Sequence, residues 1–513
     1  MLKNKFQVPD VLGSLITYRL PLTALLLFLC GCARTHSIVI FCTGDIHGKF
    51  RPEPGSGGEA YGGIAVLKRA VDLEKTPHLL LDAGNWFHGT AEGWITGGKT
   101  AVELMNAAGY AAAALGRTEF SIARKELDSL LAKADFAVLS SNVHETRRGA
   151  KAFPAAPYAI RDTGGYKVGI FALTSPGTPR LNLSENTAGL RFAQGMEEAK
   201  EAVKALRKKG AAVVVALCDS CFYGEKGEKT EEISPQKLAR EVSGIDVIIG
   251  SHSHKLSVRA VKSGKTKTWI ISTGSGLLYA GRLEIKINAF SGRVHSLKAD
   301  RILLDKAVYG EDRRLLKLAD SLSERSSKKL DRRIGRASVE LESSPSGESR
   351  LGNWAADCLR TWGRTDAALM GPGMPGGKIS EGPVSLRVIY GIVPSDDSVM
   401  FVKLRGDDLQ AVMQNGLEKG GLQISGLKVF LSGTEEKEKV EEVLIAGHVP
   451  AQAKIYKLAV PDSLAGAEGL ETLSNVVEFA NTRRPVREIL AWCAGRQKVI
   501  ADPGLGRWVR KQP

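Results

Sequence analysis

Between residues 37 and 305 the chain alternates short runs of β-branched and aliphatic residues with stretches whose apolar residues recur at helical spacing, and this alternation narrows the available folds more than any other feature. The β-rich runs fall at 37–43 (Ser-Ile-Val-Ile-Phe-Cys-Thr), 78–81, 136–139, 167–173, 212–217, 247–249 and 268–271. Helical spacing marks 63–73, 100–108, 122–134, 196–209 and 234–242. A layered α/β domain follows, with strands buried between helices. Polar or glycine-containing segments come after several of the strands, at the carboxyl edge where such sheets bind ligands.

Beyond residue 305 the character changes. Residues 305–335 are dense in charge, with Leu315, Leu316, Leu318, Leu322 and Leu330 on a rough helical stripe, which reads as a connecting helix. A turn-rich break at 344–347 precedes an amphipathic helix over 351–360, and mixed strands and helices continue to the end. The expected organisation is therefore an N-terminal segment 1–31, a first domain 32–305, a connecting helix 306–335 and a second domain 336–513. With 43% hydrophobic and 25% charged residues in 513, disordered and collagen-like classes are excluded. The net charge is +15, and loss of the first 31 residues, with Lys3, Lys5 and Arg19 against Asp10, would leave +13. Such a surplus suits anionic or phosphate-containing ligands or acidic headgroups, although the densest run, 325–336, also reads as a solvated basic face. No nucleic-acid-binding module is recognisable, so nucleic acid is not an expected partner.

The N-terminus carries a basic stretch ending at Arg19 and an apolar run over 20–29, which is short for a bilayer span and of the length of a signal-peptide core. Leu29-Cys30-Gly31-Cys32 resembles the lipobox of bacterial lipoproteins, which implies cleavage before Cys32 and its acylation. A plain secretory signal or an uncleaved anchor are the alternatives. The expected location is the bacterial cell envelope, with the chain held to a membrane by its N-terminal lipid. Five cysteines remain after Cys30 and Cys32 are set aside, and five cannot all pair, so no disulfide framework is expected. Cys218 and Cys221 form the one close pair, a spacing that serves redox chemistry or zinc, or else a local disulfide or inert thiols.

Two clusters carry the chemistry. Gly44-Asp45-Ile46-His47-Gly48 follows the first strand, and Gly250-Ser251-His252-Ser253-His254 follows the strand at 247–249. Carboxylate and imidazole side chains on turns at strand ends are metal-ligand chemistry. Between them come Asp82-Ala83-Gly84-Asn85, Gly116-Arg117-Thr118-Glu119-Phe120, Ser141-Asn142 and Leu217-Cys218-Asp219. In this order the motifs resemble the calcineurin-like metallophosphoesterases, and among them the bacterial 5′-nucleotidase and 2′,3′-cyclic phosphodiesterase family. The resemblance runs on through Gly352-Asn353, Asp366-Ala367-Ala368-Leu369, Gly382-Pro383-Val384, Leu404-Arg405-Gly406 and Ser425-Gly426-Leu427. It implies an αββα metallophosphoesterase-like sandwich in four layers, followed by a second α/β domain of the 5′-nucleotidase C-terminal type.

The resemblance also shows where this chain departs. In the family, two divalent ions bridged by the Asp of a Gly-Asp motif activate the water that attacks phosphorus. Here the bridging position is Asn85, the Asn ligand of the second ion is Arg117, the assisting His is Thr118 and the lone His ligand is Asp219. Asp45, His47 and His254 remain for the first ion, and His252 with Asp219 for the second. That set implies one divalent ion at most, manganese, zinc or similar, or none. Alternatively the retained side chains are polar groups bonded to one another or to water. Arg117 could take the electrostatic place of a missing cation, and no catalytic residue is secure. The family's ligand-contacting Arg falls at glycine within 372–377, and its two aromatic clamps are absent from 420–423 and 461–464. Two functions follow: a catalytically reduced or inactive surface binding protein, or an active metal-dependent phosphoesterase with a remodelled site.

Overall fold

The computed structural model describes residues 35–54, 59–149, 151–180, 182–219, 234–251, 257–263, 266–272, 274–393, 397–433, 438–465 and 477–511. Two six-stranded sheets lie face to face in the first part of the chain. One has the order Val294–Leu303, Tyr279–Asn288, Thr35–Thr43, His78–Asp82, Ala112–Ala114, Ala137–Leu139. The other has the order Ser257–Ser263, Thr266–Ser272, Val247–Gly250, Val213–Cys218, Tyr166–Leu173, Tyr158–Thr163. The strands that lead to the candidate site run parallel to one another, so their carboxyl ends gather at one end of the sandwich.

Strand Thr35–Thr43 shows why the sequence builds layers. Ile38, Ile40 and Cys42 point between the sheets with Leu81, Ile170, Val215 and Ile249. Val39 and Phe41 point the other way, under the helices Ile64–Asp72, Lys99–Ala108 and Arg124–Leu131. Helices Met196–Lys208 and Pro235–Glu241 cover the far face of the second sheet. With both faces of the central strands apolar, a helix–sheet–sheet–helix stack removes them from water, and each large side chain so buried contributes ~1.5–3 kcal/mol.

The charged stretch after residue 305 contains the helix Arg313–Leu330, started by Asp312, whose carboxylate accepts from the Leu315 N–H at 2.7 Å. Its apolar stripe does not span solvent: Leu315, Ala319 and Leu322 join the first core. The second unit is built on a five-stranded sheet, ordered Gln423–Ser425, Ala367–Met370, Ile455–Pro461, Ser398–Arg405, Glu478–Pro485. Helices Arg350–Gly363 and Val486–Gln497 pack on one face and Asp408–Glu418 on the other.

The cysteine arithmetic needs correction. Cys358 and Cys493 form a disulfide between those two helices, 135 residues apart in sequence and 5.7 Å apart at Cα. Cys218 is also disulfide-bonded, while Cys221 lies outside the described residues. Cys42 is the free thiol among the described residues, and burial pushes it up to about 12, so it is inert. Among the described residues no helix is long and apolar enough to cross a membrane. Residues 20–29 and Cys32 are outside the described set.

Candidate active site

Where strand Thr35–Thr43 ends, Thr43 donates its hydroxyl to Asp82 at 2.6 Å, and Asp82 also accepts from the Gly84 N–H at 2.8 Å. Burial pushes the Asp82 carboxyl up to about 7 against those two bonds, with neighbouring Asp45 adding to the rise. The two loops that follow are zipped together by their main chains: Asp45 N–H to Gly84 C=O, His47 N–H to Asn85 C=O and Gly48 N–H to Trp86 C=O, all at 2.8–2.9 Å. Asp45, His47 and Asn85 sit in the left-handed region, with φ of 49°, 51° and 64°. Asp, His and Asn are the non-glycine residues that best tolerate it. Three such residues in two touching loops mark a place where the surrounding fold holds a costly backbone in place.

Asn85 is the centre of the arrangement. Its amide nitrogen donates to Asp45 Oδ1 at 2.9 Å and to Asp219 Oδ1 at 2.6 Å. Its oxygen accepts from the Thr118 N–H at 3.2 Å and the Thr118 hydroxyl at 3.0 Å. The flipped amide would set an NH2 group against a main-chain N–H, so the network fixes which end faces the carboxylates. Close approach of the neighbouring loop depends on Gly116, where a Cβ would lie 2.4 Å from Asn85 Oδ1. Asp45, Asn85 and Asp219 are fully buried.

Glu119 ties this loop down. Its carboxylate accepts from the N–H groups of Asn85 at 3.0 Å, Trp86 at 2.8 Å and Gly116 at 2.7 Å. Burial pushes it up to about 8 even though those three N–H groups favour the charged form. The Gly-x-x-Glu pattern around Gly116 was visible in sequence, but the role of Glu119 as a collector of main-chain donors was not. Asp219 is held by Arg117, whose main-chain N–H donates to Oδ2 at 2.8 Å, and its own carbonyl accepts from the Ser251 hydroxyl at 2.6 Å.

These contacts bear on the metal the resemblance implies. His47 has Nδ1 3.0 Å from the His88 carbonyl, which assigns the proton to Nδ1 and leaves the Nε2 lone pair, 3.7 Å from Asp45 Oδ1. A carboxylate and an imidazole oriented by a carbonyl suit one divalent ion. The second position fits poorly: both Asp219 oxygens already accept, and the bridging residue offers protons where a bridge needs lone pairs. Among the described residues no group of three or more His, Cys, Asp or Glu converges on one point. His252 and His254 lie outside the described residues.

His88 escaped the sequence reading, although it follows Asn85 by three positions. It is buried and stacked on Trp94, ring centroids 3.5 Å apart and planes 17° from parallel. Its Nδ1 meets the Ser121 hydroxyl. The guanidinium of Arg487, from the second unit, lies 3.4 Å over the same Trp94 ring. Burial first, then Arg487, hold His88 well below the usual histidine value. The stack joins the site loops to the helix Val486–Gln497.

On the second unit, Gln423 accepts from the Ser349 N–H at 3.0 Å and donates to the Gly347 carbonyl at 2.7 Å, and Gly347 N–H donates to the Gly420 carbonyl. The 420–423 segment, where a stacking aromatic would be needed, is thus bonded to the 344–347 turn. Near 461–464, Asp462 accepts from the Ser398 hydroxyl at 2.5 Å.

Comparison with known proteins supports the same frame. Residues 328–475 match the family model described as the 5′-nucleotidase C-terminal domain. A snake venom 5′-nucleotidase of Gloydius brevicauda is 26% identical over 494 residues, covering 85% of this chain and 82% of its own. The 5′-nucleotidase of Vibrio cholerae is 24% identical over 522 residues, covering 91% and 93%. Among solved structures, a 5′-nucleotidase precursor from Thermus thermophilus superposes with a TM-score of 0.70 at 26% identity, covering 93% of this chain and all of its own.

Proposed function

The chain belongs to the 5′-nucleotidase family, and from that premise we propose that it is a member in which metal-dependent hydrolysis is lost or strongly reduced. In this reading it is exported, acylated at Cys32, held at the bacterial envelope, and binds an anionic or phosphate-containing ligand without turning it over. The observation that carries the proposal is the Asn85 amide. A dinuclear hydrolase needs a carboxylate between two cations; here an NH2 group lies between two carboxylates, Asp45 and Asp219. The charges are inverted, and the two protons of the amide do part of the work of the ions. Hydrogen bonds to charged groups contribute ~1.5–3 kcal/mol each, so the carboxylates are held without a bridged metal pair. Thr118 supports the reading further, since its hydroxyl is shared between Asn85 and Glu119 and the side chain carries no group that can protonate a leaving oxygen at neutral pH.

A second reading, an active phosphoesterase using one ion, draws on the Asp45–His47 pair, whose geometry suits a single metal. The two are separated by assaying AMP and bis(4-nitrophenyl) phosphate with manganese, zinc or magnesium, beside Asp45→Ala. The proposal expects rates for the native chain indistinguishable from those of the variant. Metal-dependent turnover at ordinary enzymatic rates, on the order of 1 per second or faster, that Asp45→Ala abolishes would overturn it in favour of the one-ion enzyme.

A further inference from the structure

We infer that the end of the sandwich at which the chain enters the fold is a bilayer-facing surface, with Phe290 seated in the headgroup layer of an anionic membrane. This rests on the anchoring reading above and adds an orientation to it. The entering strand pairs Thr35 with Asn288, so the chain begins beside the tip of the hairpin formed by Tyr279–Asn288 and Val294–Leu303. The tip is closed by its own bonds: Asn288 Oδ1 accepts from the N–H groups of Phe290 and Ser291, both at 2.9 Å, and the Asn288 carbonyl accepts from Gly292 N–H at 2.9 Å. Gly292 supplies the left-handed residue, φ 63°. A turn so tied presents Phe290 at 84% exposure, the largest value among the exposed apolar side chains of the described residues.

A lone exposed apolar side chain is ordinary. This one is set apart by what surrounds it and by what lies upstream. The same end of the two sheets bears exposed Lys75, Lys167, Lys209, Lys267, Lys286 and Arg293. Lys75 precedes strand His78–Asp82, Lys167 lies at the start of Tyr166–Leu173, and Lys209 shortly before Val213–Cys218, so these are amino-end positions of parallel strands. The His36 and Tyr166 rings, 5.9 Å apart, join the two sheets at this edge. An aromatic tip within a cationic fringe has the chemistry of a headgroup layer, where aromatic rings settle and lysines meet anionic phosphates. Upstream, Cys32 is three residues from Thr35, a reach of at most ~11 Å even fully extended. An acyl chain on Cys32 would hold the tip against the bilayer, and Asp45, Asn85 and Asp219, at the opposite, carboxyl ends of the strands, would face away from it.

The test uses the full chain with an environment-sensitive fluorophore on Phe290→Cys, and as control on Val308→Cys. Val308 is 68% exposed in the short helix Lys306–Tyr309, beyond the other end of strand Val294–Leu303. Each is mixed with phosphatidylglycerol vesicles carrying a doxyl-labelled lipid, and with phosphatidylcholine vesicles. The expected result is quenching at 290 severalfold greater than at 308 and stronger on the anionic vesicles. Intact mass reads acylation of Cys32 independently. Acylated, vesicle-bound chain with an unquenched 290 probe, or equal quenching at both positions, would overturn the inference and leave the anchor standing. An unacylated chain whose 290 probe is quenched would remove the anchor and retain the surface. An unacylated chain with no quenching would overturn both.

Discussion

Among the described residues the Asn85 amide gives two hydrogen bonds to carboxylates and takes two from Thr118. Asn85→Asp would put three buried carboxylates in contact, and an uncompensated buried charge costs ~3 kcal/mol. The variant should unfold earlier than the native chain in metal-free buffer and recover stability on addition of manganese, while the native melting temperature stays nearly constant; paired thermal melts with and without metal check this. His88 gives a pH dependence. Its value is depressed in the folded chain, so its contribution is full above the ordinary histidine value of 6.5 and is lost as pH falls from there toward the depressed value. Below pH 6.5 the unfolded chain takes up a proton that the folded chain does not, at up to ~1.4 kcal/mol per pH unit. Urea titrations at pH 7.5 and 5.5 should therefore show His88→Phe gaining ~1 kcal/mol relative to the native chain on acidification. Asp45, His47, Asn85 and Asp219 were legible in sequence because motif order gives positions at strand ends. Glu119 and His88 were not, because their roles come from main-chain donors and rings that only the folded loops assemble.

At the scale of elements, β-rich runs placed seven of the twelve strands of the two six-stranded sheets within about two residues of where they lie, and helical spacing placed five helices of the first part nearly as well, since fully buried strands read as continuous apolar runs. The helix Arg313–Leu330 was recognisable as a helix, but not as part of the first core, because a stripe of leucines does not say what covers it. Leu322→Ala should cost ~3 kcal/mol by opening a cavity against that core, whereas Arg325→Ala on the exposed side of the helix should change stability by less than ~0.5 kcal/mol. Guanidinium titrations of both variants distinguish a packed helix from a loose connector. The Cys358–Cys493 bond was hidden for a related reason: spacing along the chain carries no sign of a contact across 135 residues. Replacing both cysteines by serine should lower the stability of the second unit by ~3 kcal/mol, read by the same titration.

Across the whole molecule, the two units meet where the candidate site lies. Arg487 stacks on Trp94, which stacks on His88, whose carbonyl orients His47. Arg387 is paired with Glu92 and with Asp331, and Arg483 with Glu185 at 2.8 Å. The second unit thus touches the loops that carry Asp45, His47 and Asn85 through a continuous run of side chains, and in the proposed reading the loss of ligands on one side accompanies the loss of the Arg and of the aromatic clamps on the other. Both changes serve one account, in which the family fold is kept and the bridged pair of ions is not. The most direct test is metal stoichiometry: elemental analysis of the purified full chain after loading with manganese or zinc and desalting. The account predicts one ion per chain or fewer, and close to two ions per chain would contradict it, because a bridged pair would then form in spite of Asn85 and Arg117.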